Sequence, residues 1–207
     1  MAISELHGGW SLIRDALKAL DLPLHRLKIF EFGDQRMRDY GIAAISKQFW
    51  ERLGATCVSI DLKGKRGALA VDWRFEIGGD DLGTYNLLTN FGSSEHTHWE
   101  QDIDNVSAQK MFFLNMHNMA AVGAVMVHDV PHLGGCYDHG FFHYTPGFFN
   151  RLADANGYEI LRNDTVDISP GIKKPCVYCT AILRKTSDKP FNREEFPLPH
   201  RNFTGRK

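Results

Sequence analysis

No stretch of this 207-residue chain approaches the ~20 consecutive apolar residues that a bilayer-spanning helix needs. Membrane spanning is therefore not expected. The opening Met1-Ala2-Ile3-Ser4-Glu5-Leu6-His7 lacks the basic and apolar regions of a signal peptide, so a cytoplasmic location is the expectation. Cysteine is scarce. Cys57, Cys136, Cys176 and Cys179 are irregularly spaced, fit a reducing compartment and require no disulfide. Cys176 and Cys179 have the spacing of half a metal site, but no second pair exists. On a strand their side chains would point to opposite faces, so both read as buried cysteines. An excess of charge is missing too: 24 Lys and Arg face 25 Asp and Glu, for a net charge of −1. That argues against a broad nucleic-acid footprint.

What is present is ordinary for a globular domain, with 43% hydrophobic and 24% charged residues and no internal repeat. One domain is expected over residues 1–185. Residues 186–207 carry three prolines and read as an extended tail rather than core. Leu12, Ile13, Leu17 and Leu20 recur at helical spacing up to Pro23. Ile42, Ile45, Phe49, Trp50 and Leu53 form a second helical stripe, ended by Gly54. A third helix is predicted over 106–122. A fourth starts at Thr145-Pro146 and stops at Asn156-Gly157, with Pro near its first turn and Gly at its end. Strands are predicted at 27–32, 55–61, 68–72, 85–91, 124–128, 158–164 and 176–184. Alternation of strands and helices predicts a Rossmann-like α/β fold: a mostly parallel sheet, helices on both faces, and an antiparallel edge formed by the last two strands.

Ligands of open α/β sheets bind beyond the carboxyl ends of the strands. Polar signals gather at such ends here. The first strand ends Glu31-Phe32-Gly33-Asp34-Gln35, Asp61 ends the second, Asp72 the third, and Asn90-Phe91-Gly92-Ser93 the fourth. A carboxylate at Asp61 suits two ribose hydroxyls. These residues, with His96 and the stretch from His139 to Phe149, resemble class I S-adenosylmethionine-dependent methyltransferases, in particular small bacterial ones acting in glycan or natural-product pathways. The resemblance covers roughly residues 27–185. It implies S-adenosylmethionine as cofactor, with Glu31 and Gly33 beside its methionine part, Asp61 on the ribose, Asp72 near the adenine, and Asn90 and Phe91 lining the site. The family's first loop usually has a second glycine where this chain has Gln35. A bulkier loop there would crowd the cofactor or alter its binding.

Ten histidines are unevenly placed, with seven between His96 and His143. Methyl transfer to a hydroxyl benefits from a base, and histidine has a suitable pKa. His96, His139 and His143 are the candidate catalytic residues, with His128 and His132 expected near the same pocket and Tyr144 as an alternative acid or base. A divalent metal held by several histidines is allowed by the composition, but the loop glycines and Pro131 do not favour it. His7, His25, His117 and His200 read as surface or packing residues. The expected reaction is methyl transfer to a small-molecule or saccharide acceptor at oxygen, with no nucleic-acid or membrane partner. The apolar first helix and the tail leave room for a homodimer. The rivals are a binding or scaffold protein on a degenerate methyltransferase fold, and a metal-dependent hydrolase or isomerase built on the histidines.

Overall fold

A computed structural model describes residues 2–3, 9–39, 42–97, 106–136, 139–169 and 176–202. His7 lies outside the described residues. Seven strands form the main sheet: β1 (Lys28–Phe32), β2 (Thr56–Asp61), β3 (Leu69–Ala70), β4 (Tyr85–Phe91), β5 (Ala120–Pro131), β6 (Glu159–Asp167) and β7 (Val177–Arg184). Their spatial order is β6-β7-β5-β4-β1-β2-β3. β1 lies parallel to both β2 and β4, and β4 to β5. β7 runs antiparallel to β5 and to β6, which forms the expected antiparallel edge. Strand order reverses at β1, so the ends of β1, β2 and β4 flank the crevice where such sheets bind ligands.

Four helices cover the sheet: α1 (Gly9–Leu20), α2 (Ser46–Arg52), α3 (Val106–Met119) and α4 (Pro146–Asn156). One face packs Leu12, Ile13 and Ala16 of α1 and Trp50 of α2 against Ile29, Leu87, Val125 and Val127. The other packs α3 and α4 aromatics, Phe112, Phe113, Phe148 and Phe149, against Phe30, Phe32 and Leu88. Each such side chain contributes about 1.5–3 kcal/mol by leaving water. Helix α4 starts and stops as its sequence predicts. Thr145 Oγ1 accepts a hydrogen bond from the Phe148 amide at 3.2 Å, and Gly157 closes the helix with φ of 66°.

Four expectations need correction. The stripe beginning at Ile42 is not one helix. Ile42–Ile45 pairs antiparallel with Arg36–Asp39, and α2 starts only at Ser46. Helix α3 stops at Met119, because from Ala120 the backbone joins the sheet opposite Tyr85. Gly123, with φ of 87°, then donates to the Lys185 carbonyl at 2.7 Å. The final segment is extended but is not excluded from the core: Phe191 and Phe196 are buried beside α3 and α4. Its His200–Arg201 pairs antiparallel with Phe142–His143. Finally, Cys136 and Cys176 form a disulfide, which spacing alone could not reveal, while Cys57 and Cys179 are buried free thiols. Cysteine usage therefore supplies no argument for a reducing compartment. Among the described residues, no helix is long and apolar enough to cross a membrane.

Candidate active site

The loop after β1 is shaped by what crowds it. Gly33 has φ of 106°, a conformation that side chains rarely adopt. A Cβ there would stand 2.4 Å from Ser93 Oγ and 2.7 Å from Gln35 Nε2. Its amide donates to Ile60 O at 2.8 Å and its carbonyl accepts from Ser59 Oγ at 3.0 Å, which ties the turn to β2. Gln35 folds inward and is almost fully buried. Its amide donates to Phe32 O at 3.2 Å and Phe91 O at 3.0 Å, so it joins the ends of β1 and β4. The Arg36–Ile45 hairpin leaves and returns at this point, where Ser46 N donates to Gln35 O at 3.0 Å.

Beyond this loop lies an open cleft of about 490 Å³. Gly33, Asp34 and Gln35 line one wall, Asp61, Lys63, Lys65 and Arg66 another, and Trp73, Gly92, Ser93 and His96 the rest. Asp34 forms an ion pair with Arg66 across it. Asp61 accepts the Lys63 amide at 2.8 Å through Oδ1. Of the expected site residues, the cleft brings together Gly33, Gln35, Asp61 and His96. Asp34 and the basic residues after Asp61 were missed by sequence reasoning, although the run Lys63-Gly64-Lys65-Arg66, starting two residues after a strand-end aspartate, was a visible signal.

The other expected residues are placed differently. Glu31 lies fully buried behind the loop, where Ser46 Oγ donates to its Oε1. Burial pushes its pKa up to about 7, against the opposing effect of Ser46 and the neighbouring Trp50 and Cys57. Asp72 forms a two-pronged pair with Arg74 at 2.7 and 2.8 Å. Partial burial acts to raise its pKa, but Arg74 outweighs it and holds the carboxyl below the usual range. Asn90 shapes the next turn: its Oδ1 accepts the Ser94 amide at 3.1 Å and its Nδ2 donates to Ser94 Oγ at 2.9 Å. Phe91 is fully buried in the core on the α1 face. None of these four lines the cleft.

The histidines separate into distinct environments. His128 lies inside β5, not at its end, packed between Phe113 and Phe149, and burial pushes its pKa down to about 3. His117 is also buried, with its Nδ1 2.7 Å from the Tyr158 hydroxyl. Tyr144 is fully buried and donates to Gln109 Oε1 at 2.9 Å, so it is not available as an acid or base at the cleft. His143 is buried too. Burial lowers its pKa, and its Nε2 sits 2.9 Å from the His139 carbonyl. His132 bridges to Tyr144 through the backbone.

His96 and His139 instead share a partner that sequence reasoning did not single out. Both approach Oε1 of Glu95, His139 Nε2 at 3.3 Å and His96 Nε2 at 3.6 Å. Glu95 has no solvent exposure, whereas both imidazoles reach solvent. The turn Ser94–His96 that carries two of these residues is held from below by Gln109, which contacts Ser94 O and Thr97 Oγ1. The His139 segment is fastened to it by Phe141 N, which donates to Glu95 O at 2.8 Å.

No protein-family model matches the sequence, and no curated protein does. Solved structures match in fold. Burkholderia thailandensis 1,6-didemethyltoxoflavin-N1-methyltransferase, with bound 1,6-didemethyltoxoflavin and S-adenosylhomocysteine, is 14% identical. It has a TM-score of 0.54 over 86% of this chain and 81% of its own. N-methyltransferase NodS from Bradyrhizobium japonicum WM9, in complex with S-adenosylhomocysteine, is 16% identical, with a TM-score of 0.54 over 88% and 87%. Geranyl diphosphate C-methyltransferase from Streptomyces coelicolor A3(2) is 10% identical, with a TM-score of 0.54 over 86% and 80%. The chain thus has the fold of S-adenosylmethionine-dependent methyltransferases.

Proposed function

We propose that this protein transfers a methyl group from S-adenosylmethionine to a hydroxyl of a small molecule, saccharides included. The carrying observation is the cleft at the ends of β1, β2 and β4, which joins Gly33, Asp61 and His96 in a methyltransferase-type sheet. Its volume of about 490 Å³ lies within the ordinary range for small-molecule sites. The residues fit the cofactor. Gly33 lines the cleft, and a side chain there would strike Ser93 and Gln35, so glycine keeps this loop backbone at the cleft wall. Asp61 presents a carboxylate to ribose hydroxyls while its Oδ1 is steadied by Lys63 N. Gln35 is folded against the strand ends and leaves the cleft open, which supports cofactor binding over a degenerate scaffold.

S-adenosylmethionine supplies a methyl group already activated on a sulfonium. The protein therefore has mainly to align the acceptor and remove its proton. His96 stands on the cleft wall with His139 and Glu95 behind it, and this cluster draws the proton from the acceptor hydroxyl. The buried carboxylate stabilises the imidazolium that results. His143 acts at one remove, by fixing the His139 backbone.

The test is thermal unfolding with S-adenosylmethionine and S-adenosylhomocysteine. Ligand at 100 times its dissociation constant adds about 2.7 kcal/mol, or roughly 5–10 °C for a chain of this length. A shift confined to these ligands is expected. No shift at millimolar ligand refutes the proposal.

A further inference from the structure

We infer that Glu95, His96 and His139 form a binding site for one divalent transition-metal ion at the rim of the cleft. Their ligand atoms all lie within 4.8 Å of one another. Two ligands at about 2.0–2.2 Å from a common ion, in tetrahedral to octahedral geometry, stand about 3.0–3.5 Å apart. The separation of 3.3 Å from His139 Nε2 to Glu95 Oε1 falls within that spacing, and the 3.6 Å from His96 Nε2 to the same oxygen lies just beyond it. The two imidazoles meet edge to face with centroids 5.2 Å apart.

Burial supplies an independent observation. Glu95 has no solvent exposure, and its Oε2 has no hydrogen-bond partner among the described residues. A carboxylate so enclosed is costly without a compensating cation. The positions are also held in place. Phe141 N fastens the His139 segment to Glu95 O, and His143 Nε2 fixes the His139 carbonyl. At Gly140 a Cβ would stand 2.5 Å from Glu95 Cγ, so the backbone passes directly over the Glu95 side-chain stem.

Two imidazoles and one carboxylate select zinc, manganese or ferrous iron over magnesium or calcium, which prefer oxygen ligands. Three protein ligands leave coordination positions open, and His96 borders the cleft. An acceptor hydroxyl bound there would lose its proton to solvent water more readily, as metal-bound water does, and with metal bound the two imidazoles are ligands in place of proton acceptors. This catalytic role rests on the methyl-transfer reading. The metal site itself does not.

The experiment is calorimetric titration of chelator-treated protein with manganese and zinc chloride, alongside S-adenosylhomocysteine. One equivalent of metal is expected. His96→Ala and His139→Ala should each weaken metal binding at least tenfold while leaving the unfolding transition in place, and His139→Ala, outside the cleft lining, should also leave S-adenosylhomocysteine binding in place. His25→Ala, a change at an exposed histidine far from the cluster in sequence, should have no effect. Absence of binding at 1 mM metal, or binding unchanged in both cluster variants, overturns the site. Metal binding without S-adenosylhomocysteine binding upholds the site and refutes methyl transfer, so the two failures are distinct.

Discussion

Replacing Glu31 with Gln should change how stability depends on pH. Glu31 is fully buried, and its pKa rises from 4.5 to about 7, chiefly through burial. Between those values the unfolded chain has released its proton while the folded chain still holds one. Stability then falls as pH rises through this window. Each unit of pKa difference is worth 1.36 kcal/mol, so raising the pH from 5 to 8.5 removes about 2–3 kcal/mol through this group alone. Gln keeps an acceptor for the Ser46 hydroxyl and cannot ionise. It adds an amide donor next to the Trp50 indole, itself without a hydrogen-bond partner among the described residues, which costs roughly 1–3 kcal/mol at every pH. Urea unfolding of both proteins across this range separates the two effects. The constant penalty offsets the curves, and the ionisation makes them converge or cross as pH rises. Curves that stay parallel within about 1 kcal/mol would refute the reasoning.

Gly33→Ala forces a side chain into φ of 106° and against Ser93 Oγ, which should lower stability by about 1–3 kcal/mol and weaken S-adenosylhomocysteine binding at least tenfold by calorimetry. His128 works in the opposite pH direction from Glu31. Its folded pKa, lowered to about 3 by complete burial, gives stability that is present above pH 6.5 and lost as pH falls, about 3 kcal/mol by pH 4. His128→Asn should therefore flatten the acid limb of an unfolding titration followed by circular dichroism, and an unchanged acid limb would count against a neutral buried His128.

Much of the sheet was legible because strand ends carry strong local signals. Gly33 and Asp61 sit in the cleft as their places after β1 and at the end of β2 suggest. Asp72 had the same kind of signal, yet Arg74, two residues along, occupies it. Phe91 follows the alternation of its strand into the core. Helical spacing misled twice. Ile42 and Ile45 fit a helix by period, but backbone pairing with Arg36–Asp39 takes their segment first. Ala120 to Val122 continue the period of α3, but the sheet offers hydrogen-bond partners that a frayed helix end lacks. Glu95 was not legible in the sequence, because a single Glu carries no local mark of burial.

The sequence by itself determined the α/β class, the antiparallel edge and the place of the cleft, since these follow from periodicity and from residues adjacent along the chain. Tertiary structure alone decided which polar groups meet. Glu95 joins His139 across 44 residues, Cys136 joins Cys176 across 40, and the side chain of Gln35 reaches Phe91 across 56. It also decided that Glu31 lies behind the loop rather than in the cleft. Burial and long-range pairing depend on how separate elements stack, and a one-dimensional pattern does not encode that directly.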